Sequence, residues 1–126
     1  MWMVVKVPGT EGILREALDQ WKAGVDAYEP EKVAALFTED AIFQGLRPYI
    51  VGRQGVADYY DGQPRGMTVT YRILETRRPA DELVLGYVRA DFAFPDGHTV
   101  GLHLGVLVTH GDDGWRILQY QASPAI

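Results

Sequence analysis

The stretch LFTEDAIFQGLRPYIVGRQGVADYY, residues 36–60, decides how the chain is to be read. Its first part, Leu36 to Phe43, is apolar at both ends around an acidic Thr38-Glu39-Asp40 turn signal. Its last part, Gly52 to Tyr60, starts on a glycine and runs as a short helix into paired tyrosines. Ahead of it lie two amphipathic helical patterns, and behind it four strand-like runs. Helices followed by successive strands imply an α+β layer, with the helices on one face of a sheet. A twisted, curved sheet covered in this way leaves a cavity between the layers. The expected architecture is therefore an α+β cone: N-terminal helices packed on a curved, mainly antiparallel sheet that encloses a pocket.

Working outward, Thr10 is the expected N-cap of the first helix. Ile13, Leu14, Leu18, Trp21, Val25 and Tyr28 recur at helical spacing, with Arg15, Asp19, Lys22 and Asp26 opposite. Glu29-Pro30 opens a second, shorter helix, because proline suits a first turn. Ala41–Phe43 and Tyr49–Val51 read as short strands around a loop holding Gly45 and Pro48. Beyond the third helix, Met67–Arg78, Leu83–Phe94, Thr99–His110 and Trp115–Ala122 read as strands. Pro95-Asp96-Gly97 and Gly111-Asp112-Asp113-Gly114 are turns of an antiparallel meander.

At 126 residues the chain is one domain with a sizeable core. Its net charge of -5 argues against nucleic acid, which demands clustered Lys and Arg; the single basic pair, Arg77-Arg78, reads as a solvated strand end. The absence of cysteine removes disulfides, thiol nucleophiles and thiolate metal sites, and fits a reducing cytosol, so the cytoplasm is the expected compartment. Met1 to Thr10 lacks the basic head and apolar run of a signal peptide, and the apolar stretch Leu102–Val108 is too short to span a bilayer. Ser123 is the sole serine, which argues against a Ser-His-Asp hydrolase. His98, His103 and His110 form no metal-ligand pattern, and no phosphate-cradling glycine loop is present. No metal or cofactor is expected. Carboxylate, Arg, Tyr and Trp chemistry in a mostly apolar pocket is what is left.

Leu36-Phe37-Thr38-Glu39-Asp40-Ala41, Gly52-Arg53 before Tyr59-Tyr60, and Gly114-Trp115-Arg116-Ile117 together resemble the nuclear-transport-factor-2-like superfamily, in its SnoaL-like and ketosteroid-isomerase-like branch. The resemblance covers Ile13 to Pro124. It implies the cone fold and a dimer paired through the sheet. It does not choose an activity, since that superfamily holds isomerases, hydrolases, cyclases and assembly domains. Against ketosteroid isomerase, the base falls on Gly45, the oxyanion tyrosine on Trp21 and the second acid near Val106, while Tyr60 matches a supporting tyrosine. Against limonene-epoxide hydrolase, Arg89-Ala90-Asp91 matches an Arg-x-Asp element, but no carboxylate stands near Tyr120 to Ala122 for the second Asp. Against the association domain of calcium/calmodulin-dependent kinase, Tyr87-Val88-Arg89 and the closing Trp115–Ser123 run both match.

Candidate residues follow. Arg89 and Asp91 share one face of an otherwise apolar strand, and burying charge there is costly unless it pairs or serves a ligand. Arg89 would clamp an oxygen and Asp91 would act as base or acceptor; a structural ion pair at a sheet edge or interface is the other reading. Trp21, Phe43, Tyr60, Leu104 and Val106 are the expected lining of the pocket, with Tyr49 near its mouth. Gln119 is read as sharing a face with Trp115 and Ile117, where it needs a ligand or neighbouring subunit as partner. Asp40 is read as a cap and His103 as an outer-face or dimer-contact residue. Two functions stay open. One is a small-molecule-binding SnoaL-like protein, an isomerase, cyclase or epoxide-hydrolase type acting on a compact apolar ligand by carboxylate acid/base chemistry. The other is a non-catalytic dimerisation or ligand-binding module with a vestigial pocket. A homodimer is expected in either case.

Overall fold

In the computed structural model, residues 9–126 are described; Met1–Pro8, on which the reading of the chain's start partly rests, lie outside the described residues. The order is α1 (Thr10–Asp26), α2 (Pro30–Ala34), β1 (Phe37–Gln44), β2 (Ile50–Val51), α3 (Arg53–Asp61), β3 (Thr68–Ala80), β4 (Leu83–Ala93), β5 (Thr99–Gly111) and β6 (Gly114–Pro124). The strands form one six-stranded sheet ordered β2-β1-β6-β5-β4-β3. All neighbours are antiparallel except β1 and β6. The fold is the expected one, helices packed on a curved sheet.

Helix α1 turns Ile13, Leu14, Leu18, Trp21 and Val25 to the sheet, the spacing that puts them on one stripe. It sits close: a Cβ on Gly86 of β4 would collide with the Leu14 methyls, so only glycine permits this approach. Lys22 and Asp26, an ion pair on α1, also tie down the edge strand β3. Lys22 donates to the Val69 carbonyl at 2.7 Å, and Asp26 accepts from the Val69 N–H at 2.9 Å. An open edge is thereby partly occupied.

Two local readings are corrected. Gly9, not Thr10, is the N-cap of α1, and no side chain caps it. The expected Thr38-Glu39-Asp40 turn lies within β1, as an irregular stretch between Phe37, which pairs with Ile117, and Ile42, which pairs with Gln119; the Ile117 N–H donates to the Leu36 carbonyl at 2.8 Å. Asp40 therefore caps no helix; it accepts a bond from the Thr38 hydroxyl.

A third correction concerns faces. Leu107 pairs with Gln119, but the next residue, Val108, pairs with Ile117, so Leu118 is an extra residue in β6. This bulge breaks the two-residue alternation. Ile117 is buried on the inner face, and Tyr120 and Ala122 follow it there, whereas Gln119 stands on the outer face. A similar shift at Leu74 interrupts β3. Among the described residues, no polar or charged residue is wholly buried, so the space between helices and sheet is apolar and aromatic throughout.

Candidate functional site

The centre of the cone is filled by rings. Phe43 of β1 lies flat on Tyr120 of β6, with centroids 4.5 Å apart and planes 10° from parallel. Phe37 and Tyr60 meet Phe43 edge-on, and Trp21 meets Phe92 edge-on at 6.0 Å. Buried Trp21 needs a partner for its indole N–H and finds it in α3, donating to the Tyr60 hydroxyl at 2.9 Å. Burial pushes the phenols of Tyr59, Tyr60 and Tyr120 upward, because an ionised ring would sit without water. For Tyr59 the Arg47 guanidinium and the Leu46 N–H pull the other way. All three are neutral phenols at physiological pH, able to donate.

Above this floor a cavity of about 170 Å³ opens at the mouth of the cone. Met67, Phe92, Phe94, Val100 and Leu102 make its apolar wall, and Arg47, Tyr59, Tyr60, Gln63 and Tyr120 supply its polar groups. Gly45 borders it because a Cβ there would collide with the Tyr59 hydroxyl. No carboxylate lines it. A larger groove of about 430 Å³ runs between α1, α2 and β6, but it is wide open, and Glu29 and Lys32 in its wall satisfy each other at 2.8 Å.

The structure brings only some of the sequence candidates to the pocket. Tyr60 lines it. Trp21 and Phe43 pack directly beneath as solid core, and Leu104 and Val106 are wholly buried on the inner face of β5. Tyr49 is 65% exposed. Gln119 is on the other side of the sheet, for the reason the bulge supplies. Arg89 and Asp91 are also on the outer face, out of step with buried Val88, Ala90 and Phe92. They pair with each other, Nη2 to Oδ1 at 2.9 Å, with both side chains partly solvated. The Arg89 guanidinium lies over Gly101, where a Cβ would collide with it. Arg72 and His103 flank Arg89 on the adjacent strands, and His103 stacks on Tyr87.

Sequence reasoning missed Arg47, Gln63, Met67, Phe92, Phe94, Val100, Leu102 and Tyr120. Phe92 and Leu102 carried a signal, since both lie in phase with the apolar face of their strands. Tyr120 was hidden by the bulge, and Arg47 by its place in an irregular loop. Among the described residues, no group of three or more His, Asp or Glu is placed to hold a metal. The pocket offers hydrogen-bond donors and apolar walls, and no side chain in it is a base at neutral pH.

No protein-family model and no curated protein matches the sequence. Solved structures do match. A domain of unknown function with a cystatin-like fold from Nostoc punctiforme is 22% identical, with a TM-score of 0.84 over 96% of this chain and 80% of its own. A nuclear-transport-factor-2-like protein of unknown function from Shewanella oneidensis is 15% identical, with a TM-score of 0.79, covering 91% of this chain and 99% of its own. A putative calcium/calmodulin-dependent protein kinase type II association domain from Thiobacillus denitrificans is 19% identical, with a TM-score of 0.76, covering 89% and 94%. At these identities the likeness shows the fold, which is nuclear-transport-factor-2-like and cystatin-like.

Proposed function

We propose that this chain is a small-molecule-binding module of the cytoplasm that holds a compact, mostly apolar ligand at the mouth of the cone and works as a homodimer. The observation that carries the reading is the 170 Å³ cavity, apolar-walled and donor-lined, over a floor of packed rings. Concave, largely apolar sites with a few convergent polar groups are where small ligands bind. An acid/base enzyme using Asp91 is disfavoured, because Asp91 and Arg89 are separated from this cavity by the thickness of the sheet and already satisfy each other. Trp21, Phe43, Leu104 and Val106 serve the ligand as the packed floor and wall behind it, and Tyr60 as contact.

Pairing is supported by the outer face. Val51, Ile42, Leu107 and Leu85 stand in register across the sheet, with Gln119 between Ile42 and Leu107. Ile42, Val51 and Leu85 are each more than two-fifths exposed, and a self-complementary row of this kind suits a two-fold interface. The likeness to a putative association domain agrees with this.

The test is a nitrogen–proton NMR titration with neutral single-ring compounds such as toluene and indole. Shift changes confined to residues around Val100, Leu102 and Tyr59, abolished by Val100→Trp, support the reading. Saturable binding elsewhere, or none, sinks it. Sedimentation of an Ile42→Asp/Leu85→Asp variant tests the pairing: the wild type should sediment as a dimer and the variant as a folded monomer.

A further inference from the structure

The ligand's chemistry follows from what faces the cavity. The Tyr60 hydroxyl accepts the Trp21 N–H and is also hydrogen-bonded to Tyr120, so it is engaged from within the floor. Tyr59 stands at the same wall with Arg47 beside it. Gln63 is the sole lining side chain with a carbonyl acceptor; the phenol hydroxyls both donate and accept, and Arg47 carries only donors. Arg47 is also the single charged group there, in a chain of net charge -5. A ligand that brought a positive charge would meet the Arg47 guanidinium and no carboxylate. A ligand that brings acceptor oxygens with negative charge would be met at every polar position.

Size narrows the class. The cavity is well below the roughly 300–1,000 Å³ of drug-sized sites, so it takes about one ring.

We infer that the mouth pocket takes a compact carboxylate, a single ring or short branched chain, with its oxygens held by Arg47 and Tyr59 and its apolar body against Phe92, Val100 and Leu102. This rests on the pocket reading above and names its ligand class. The Arg47 contact is charge-assisted, the stronger kind of hydrogen bond. The apolar wall selects against small hydrophilic acids, which would lose water there without gaining contact.

The experiment titrates the full chain with benzoate, cyclohexanecarboxylate, methyl benzoate and benzylamine at neutral pH, followed by NMR. The carboxylates should bind in the pocket about tenfold more tightly than the ester, the factor expected of one charge-assisted hydrogen bond, and benzylamine should not bind. Arg47→Gln should lower carboxylate affinity about tenfold and leave the ester unchanged. Tyr59→Phe should weaken both carboxylates without changing the fold. An ester that binds in the pocket as well as benzoate, with no effect of Arg47→Gln, overturns the carboxylate inference and leaves the pocket standing. If neither these probes nor toluene perturbs the pocket, both the inference and the pocket reading fall.

Discussion

On the inner face of β4 and β5 stand Val84, Val88, Ala90 and Phe92, then Leu102, Leu104, Val106 and Val108, all buried. One residue out of step on the same strands stand Leu85, Tyr87, Arg89 and Asp91, with His103 between glycines. The two faces share a backbone but answer to different solvents. The inner face meets helices and must be apolar, because an unpaired charge there would cost several kcal/mol or change its protonation. The outer face meets water, so Arg89 and Asp91 are tolerated without strong need of each other. The lesson is that a charged pair in an apolar strand identifies a functional candidate only once its face is known.

The comparison can be broken most severely at the bulge. Exchanging two neighbours, Gln119→Tyr with Tyr120→Gln, would put an amide among the inner rings and a ring on the outer face. Loss of cooperative unfolding is expected by circular dichroism; a stable native fold would show that β6 can re-register around the exchange. Next comes Trp21→Ala, which removes the largest ring of the inner face and should cost about 3–5 kcal/mol by denaturant titration. A loss below about 1 kcal/mol would mean the rings beneath the pocket are loosely packed.

Alkaline pH is the third probe. Tyr59, Tyr60 and Tyr120 have pKa values raised in the folded state, so their contribution is fully present below the ordinary tyrosine range and is lost as pH rises from that range through their raised folded-state values. Stability should decline above about pH 10, and Tyr60→Phe/Tyr120→Phe should flatten that decline. An unchanged slope in the double variant would assign the loss to other groups. Tyr60→Phe alone strands the Trp21 N–H and should cost about 1–3 kcal/mol at neutral pH.

The smallest effect belongs to the outer face. On the Ile42→Asp/Leu85→Asp background, Arg89→Gln with Asp91→Asn should change stability by less than about 1 kcal/mol, the usual worth of a solvated ion pair. A penalty as large as that of Trp21→Ala would overturn the contrast between faces.

Much of the fold was legible. The Ile13–Val25 stripe, the proline opening α2 and the alternation of Leu102, Leu104, Val106 and Val108 each report a local period, and local periods survive folding. The Thr38–Asp40 segment misled because its acidic, turn-like composition marks an irregularity inside β1, whose flanking Phe37 and Ile42 pair with a strand some eighty residues later. The site was less legible. Tyr60 was found by its place on a helix, but Arg47, Phe94 and Val100 are scattered through loop and strand, and only the closing of the cone gathers them.

The sequence by itself determined the element order, the helix faces, the absence of thiol chemistry and the apolar phase of β4 and β5, because each depends on neighbours within a few positions. The tertiary structure alone decided that the rings fill the centre of the cone, that a small donor-lined cavity is left at its mouth, and that Arg89, Asp91 and Gln119 look outward. Those outcomes depend on packing volume and on single-residue shifts in strand register. One extra residue in β6 exchanges the two faces, and no local pattern announces where it will be inserted.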